Sequence, residues 1–248
     1  MKSVAEHYAE HLAPIYLWMA GGAESALAAG NAELDALDLP ARANDAVLDL
    51  GAGFGMHAIP LAQRGAHVTA VDTSAELLED LHESAGGLSI RTVHADLVEF
   101  MRQDHSTYNA ILCMGDTLMH LPSPEEVDEL LVLCVAALAP GGVLVLTFRD
   151  YSTALLDEER FIPVKSDEDR ILTCFLDFRE TTLMVHDIVH ERERTPRAGA
   201  WTTRVSAYRK LRIPPQTLIE TLDGLGLNVR REAGLRGMVR LVATRAAA

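Results

Sequence analysis

Two kinds of hydrophobic spacing divide the chain. Over 4–12 and 15–19, apolar side chains recur at near-helical intervals until Gly21-Gly22 interrupts them. A second helix is predicted over 23–37, ended by Pro40. Short apolar runs then alternate with helical stretches. Residues 46–50 read as a buried strand that meets the turn Gly51-Ala52-Gly53-Phe54-Gly55. Further strands are predicted over 66–71, 89–94, 108–114 and 143–148, the last after a Pro140-Gly141-Gly142 turn. Helices are predicted over 56–64, closed by Gly65, over 74–84 with Ser74 as N-cap, and over 124–138.

After Arg149 the alternation changes. Residues 171–180, 183–193 and 201–213 place apolar and polar side chains in turn, which predicts antiparallel strands with a hairpin tip at 195–199. A helix over 214–225 and a strand pair at 227–232 and 238–244 close the chain. The fold class that follows is α/β. We expect a Rossmann-like, seven-stranded, mostly parallel sheet with helices on both faces, plus an antiparallel β insertion. The units expected are an N-terminal helical cap (1–40), a core (41–150), the insertion (151–213) and a C-terminal completion of the core sheet (214–248).

Composition narrows the possible partners. Of 248 residues, 36 are acidic and 22 are Lys or Arg, giving a net charge of −14. That field repels phosphate backbones and anionic lipid surfaces, so neither nucleic acid nor membrane is an expected partner. The longest apolar run, residues 130–139, is far short of a bilayer span, and the N-terminal residues do not read as a secretory signal. Cys113, Cys134 and Cys174 form no CxxC pair and read as reduced, buried thiols, so a cytoplasmic location is expected.

The chemistry concentrates at the predicted strand ends. Glycines at 51, 53 and 55 let a ligand approach the backbone, with Asp49 two residues before the first of them. The spacing is G-x-G-x-G. A nicotinamide-binding loop would want a glycine at position 56, which is Met56. Asp72 ends the second strand, where a carboxylate can accept from two ribose hydroxyls, and Asp96 follows the third, where an adenine ring would lie.

These features, with Ala95-Asp96-Leu97 and the Leu138-Ala139-Pro140-Gly141-Gly142 stretch, resemble the core of the class I S-adenosylmethionine (SAM)-dependent methyltransferases. The resemblance covers residues 46–149 and is nearest to the small-molecule enzymes with a domain of the glycine N-methyltransferase type. It implies SAM as cofactor and S-adenosylhomocysteine (SAH) as product. It further implies that 41–150 binds SAM, that Asp49, Gly51, Gly53 and Gly55 face the methionine part, and that Asp72 with Thr73 holds the ribose. Asp96 and Leu97 would meet the adenine, and Met114 would lie in the segment under the sulfonium. The N-terminal helix would fold over the cofactor, with Tyr16 and Trp18 against it and Tyr8 toward the substrate.

The expected activity is methyl transfer to a small-molecule acceptor, with an amine nitrogen ahead of an oxygen. Methyl transfer is an in-line displacement that depends on alignment, and a base is needed only when the nucleophile arrives protonated. Asp116 and His120 are the candidate catalytic pair, and Arg149, Tyr151 and Tyr208 are candidate substrate contacts. Tyr208 and Arg209 are neighbours on one strand, so at most one of them should point inward. No metal is expected, since His186 and His190 lie in a strand, where a four-residue spacing makes no helical ligand pair. The sequence lacks the Pro-Pro-aromatic turn of amino-methylating DNA enzymes. Two rival readings are a non-catalytic SAM-binding regulator of the same fold and a nicotinamide-dependent oxidoreductase. Oligomeric state is left open.

Overall fold

A computed structural model describes residues 3–37, 39, 43–193 and 200–247. The predicted end of the second helix at Pro40 and the hairpin tip at 195–199 lie outside the described residues. The chain opens with α1 (Val4–His7), capped by a reciprocal Ser3–Glu6 box, and runs through a π turn at Tyr8–Leu12 into α2 (Ala13–Ala20). Gly21 and Gly22, both at positive φ, turn it into α3 (Ala23–Ala36). Then follow β1 (Ala46–Leu50), α4 (Ala58–Gln63), β2 (His67–Asp72), α5 (Ala75–Ala85), β3 (Ile90–His94), α6 (Leu97–Gln103), β4 (Tyr108–Cys113), α7 (Pro124–Ala137) and β5 (Leu138–Phe148). The insertion supplies β6 (Phe161–Ser166), β7 (Arg170–Phe178), β8 (Thr182–Arg192) and β9 (Trp201–Leu211). The chain closes with α8 (Pro215–Gly224), β10 (Leu227–Ala233) and β11 (Val239–Arg245).

The expected architecture is observed. The main sheet has seven strands in the order β10-β11-β5-β4-β1-β2-β3, and β11 alone runs antiparallel to both its neighbours. The second sheet is antiparallel, β6-β7-β8-β9. One face of the main sheet packs against α6, α7 and α8 through Phe100, Leu130 and Leu222. The other packs against α3, α4 and α5 through Leu34, Leu61 and Leu81. β1 and β4 pair at the centre, and the chain leaves them for opposite sides of the sheet. That reversal opens a crevice at their carboxyl ends.

Three details depart from the expectations. The Pro140-Gly141-Gly142 turn is a bulge inside β5: Tyr108 pairs with Leu138, Ala110 with Val143. Strand β6, an exposed edge strand containing Pro163, had no counterpart in the predicted elements. Nor did α6, a helix of two turns whose N-cap is Asp96 itself.

Candidate functional site

A cavity of about 650 Å³ lies over the carboxyl ends of the parallel strands. Its floor is the glycine-rich loop. Gly51 sits at φ +77, and a Cβ there would lie 2.4 Å from Thr117 Cγ2, so the loop after β1 and the loop after β4 interlock only through glycine. Asp72 fastens the same loop. Its Oδ2 accepts from the Gly53 amide at 2.7 Å and its Oδ1 from the Ser74 amide at 2.8 Å. Burial raises its pKa, and those amide bonds oppose the rise. Asp96 Oδ1 accepts from the Val98 and Glu99 amides at the start of α6. Gly51, Gly53, Asp72, Thr73, Asp96, Leu97 and Met114 all line the cavity.

Asp49 and Gly55 do not line it. Asp49 is buried beneath the loop with Oδ2 unpartnered, and burial pushes its pKa up to about 6. A Cβ at Gly55 would strike Leu81 Cγ at 2.8 Å, so this glycine serves the packing of the loop on α5.

The N-terminal helices form the roof. Tyr8 and Tyr16 line the cavity, with ring centroids 6.0 Å apart, and Tyr16 continues onto Phe54 at 5.8 Å. Burial raises the pKa of both phenols, that of Tyr16 to about 12, so both stay neutral. Trp18 points elsewhere. Its indole N–H donates to Asp167, and Arg170 stacks on its ring at 4.9 Å, so it docks the roof on the insertion instead of meeting a ligand. A second dock is fully polar. His7 Nε2 donates to Asp187 Oδ2 at 2.8 Å, and His11 Nε2 donates to the Asp187 carbonyl at 3.0 Å. Cys174 Sγ donates to the other Asp187 carboxylate oxygen.

At the far end, Asp116 and His120 bracket a short 3₁₀ turn, Thr117–His120. His120 lines the cavity, and its Nε2 is buried without a hydrogen-bond partner. Burial first, and the Lys210 charge second, lower its pKa to about 3, so the imidazole is neutral. Asp116 does not reach the cavity. Its Oδ2 accepts from Arg149 Nη1 at 2.7 Å and Lys210 Nζ at 3.0 Å, and its Oδ1 accepts from the Arg149 amide. Burial alone would raise its pKa. Lys210 and Arg149 outweigh burial and hold the carboxyl well below the ordinary range. Asp116 is therefore a fixed anion held by three hydrogen bonds, not a base.

The expected substrate contacts are redistributed accordingly. Arg149 is spent on Asp116. Tyr151 packs edge-on against Phe178, away from the cavity. Tyr208 is buried behind the wall, 5.5 Å from the His120 ring and 6.4 Å from Tyr8. Its neighbour Arg209 lines the cavity instead, donating to the Pro122 carbonyl. Sequence reasoning missed Arg236, His57 and Phe54 on the wall. His57 is held by Glu33 at 3.0 Å, a pairing across 24 residues with no local signature. Arg236 sits at the tip of the β10–β11 hairpin between Gly234 and Gly237, where the two glycines were the available signal.

The residues present fit a nucleoside with a charged tail. The loop offers a floor without side chains. Asp72 keeps free lone pairs on both oxygens, and Asp96 commits only one oxygen to its helix.

Residues 47–142 match the model of the family described as "Methyltransferase domain". The glycine/sarcosine N-methyltransferase of Halorhodospira halochloris is 34% identical over 120 residues, covering 48% of this chain and 45% of that protein. The ubiquinone biosynthesis O-methyltransferase of Xylella fastidiosa (strain 9a5c) is 33% identical over 103 residues, 41% of this chain and 40% of that one. The chain thus spans about half or less of the length of the curated relatives it matches. In fold, the CcbJ methyltransferase of Streptomyces caelestis superposes with a TM-score of 0.76 at 23% identity, covering 97% of this chain and 98% of that one.

Proposed function

We propose that this chain, whose residues 47–142 match a methyltransferase domain, is a class I SAM-dependent enzyme that binds SAM and methylates a small-molecule acceptor, an amine in the first instance. One observation carries the reading. The glycine-rich loop, Asp72, Asp96 and the neutral His120 imidazole all line one cavity.

When bound, SAM supplies a methyl carbon already activated by its sulfonium. The chain's own residues bind and align. The free lone pairs of Asp72 receive the ribose hydroxyls, and Asp96 Oδ2 receives the adenine amino group. Tyr8 and Tyr16 exclude water, and their ring faces favour a cation beneath them. The His120 ring packs against the acceptor and orients it. With a pKa of about 3 it works as a positioning partner, and the proton an amine loses goes on to solvent. The insertion, 151–213, is the substrate-side lid in this reading, since Arg209 of β9 lines the wall beside His120.

The relatives include both N- and O-methyltransferases. The amine is preferred here because His120 is neutral and Asp116 is committed to its ion pairs, so the acceptor end lacks the free general base that a hydroxyl nucleophile would need. Calorimetry with SAM and SAH, followed by isotopic methyl transfer from SAM to a metabolite extract, tests the proposal. Heat with both ligands and a labelled N-methyl product is expected. Absence of binding to either ligand would end the reading, and a labelled O-methyl product would correct the acceptor.

A further inference from the structure

The inserted sheet buries only one of its faces. On that side Leu172 and Val189 pack on Leu12 and Ile15 of the N-terminal segment, and Leu183 and Val185 pack with Tyr208. Strand alternation turns the neighbouring side chains the other way. In register across β7, β8 and β9, Thr173, Ile188 and Val205 form one row of that second face, and Phe175, His186 and Ala207 form the next. Phe161 of β6 extends the second row. Its ring centroid lies 4.8 Å from that of Phe175, which lies 5.5 Å from that of His186. A sheet face turned to water ordinarily carries polar side chains, yet Val205 here is 60% exposed and Phe161 52%. Of the nine large hydrophobic side chains exposed among the described residues, seven belong to the insertion. Charge enters this face only at its margin. Asp177 is matched there by Arg179 and Asp169 by Arg192, and Arg160 lies over the Phe175 ring at 5.1 Å. An exposed apolar patch of this extent marks a contact surface.

We propose that this face docks on the same face of a second copy of the chain, so that two inserted sheets close into one β-sandwich. The inference stands apart from the methyltransferase reading. Charge selects the occupant. Bodies of net charge −14 repel one another, and two copies can meet only where acid is absent, as it is across the central rows of this face. A basic partner would be drawn to the acidic surface instead. A two-fold contact also asks a surface to complement itself, which an uncharged apolar sheet does. The area suffices. Strand spacing and rise give a four-stranded face of this length about 19 by 30 Å, so the pair would cover on the order of 1,100 Å², the lower range of specific interfaces.

The test is analytical ultracentrifugation of the full chain over a range of concentrations. Val205→Asp and Phe161→Asp alter the face, and Val132→Asp, on α7, adds the same charge at an exposed apolar position elsewhere. The wild type is expected to form a dimer in the micromolar range, tightened by added salt that screens the repulsion between the acidic bodies. Each face variant should weaken association at least tenfold, with circular dichroism and thermal melting as in the wild type, and Val132→Asp should dimerise normally. Hydrogen exchange of the wild type supplies a readout that needs no variant: protection gained with concentration should fall in β6–β9. A wild type that stays monomeric at every concentration overturns the proposal and leaves the face to a different partner. So does a dimer that both face variants leave intact, one that Val132→Asp weakens equally, or one whose added protection lies outside β6–β9.

Discussion

His120 and Asp116 are four residues apart and were expected to act together, yet their surroundings give them opposite tasks. Lys210 contributes to both, with Arg149 at Asp116 and behind burial at His120. Its charge helps hold Asp116 ionised and helps keep the neighbouring imidazole neutral. Replacing Asp116 by Asn should leave Lys210 as an uncompensated buried cation, a loss of about 3–5 kcal/mol by denaturant unfolding. The pH dependence follows from the sign of the shift. Asp116 is depressed below its ordinary 3.8, so its stabilisation is complete above that value and is lost only as the pH falls through the lower folded value. The stability gap between wild type and Asp116→Asn should therefore be constant above about pH 4, begin to narrow only below it, and close as the pH falls through the lower folded value. Asp49 has the opposite sign. Raised to about 6, it favours the folded state below pH 3.8 and loses that contribution as the pH rises through 6. Asp49→Asn should flatten the decline in stability of the ligand-free protein between about pH 4 and 6, an effect on the order of 1–3 kcal/mol. Turnover offers a separate check on His120. With its pKa near 3, kcat should show no limb at pH 6–7, where an ordinary imidazole titrates, and His120→Leu should lower kcat while SAH affinity stays put.

Among elements, those readable in advance were the ones whose side chains repeat a single period. The core strands are continuous apolar runs because both faces are covered, and β7, β8 and β9 alternate because one face of their sheet is open. What escaped was short or decided by distant contacts. Helix α6 has too few residues to display a period, and β6 is exposed and interrupted by Pro163. Within the site, the floor was legible because glycine spacing and strand-end carboxylates are local signals. Trp18, Arg149 and Tyr151 were misplaced because their partners lie 149, 33 and 27 residues away in sequence. The approach of α3 to the loop was equally invisible: a Cβ at Gly30 would sit 2.0 Å from the Met56 carbonyl oxygen. Gly30→Ala should push α3 off the loop, lower stability by about 1–3 kcal/mol or more, and weaken SAH binding in calorimetry.

At the scale of the whole molecule, the roof belongs to the N-terminus but is held by the insertion. Asp187 takes His7, His11 and Cys174 at one point, and Asp167 takes Trp18 at another. Asp187→Ala should leave the main sheet intact and loosen α1. Limited proteolysis within the first twenty residues is expected to accelerate, and SAH affinity to fall about tenfold, or 1.4 kcal/mol. Unchanged proteolysis would show that the helix is held by its apolar contacts alone.

The ion cluster at Asp116 carries a lesson for transplanting acceptor range between proteins. Its lysine is donated by the inserted sheet, while the aspartate and arginine come from the core. A foreign segment grafted in place of 151–213 would have to bring its own positive charge to that point. Otherwise the graft would strip a partner from the core it was meant to leave alone, and a new specificity would arrive together with a weakened fold.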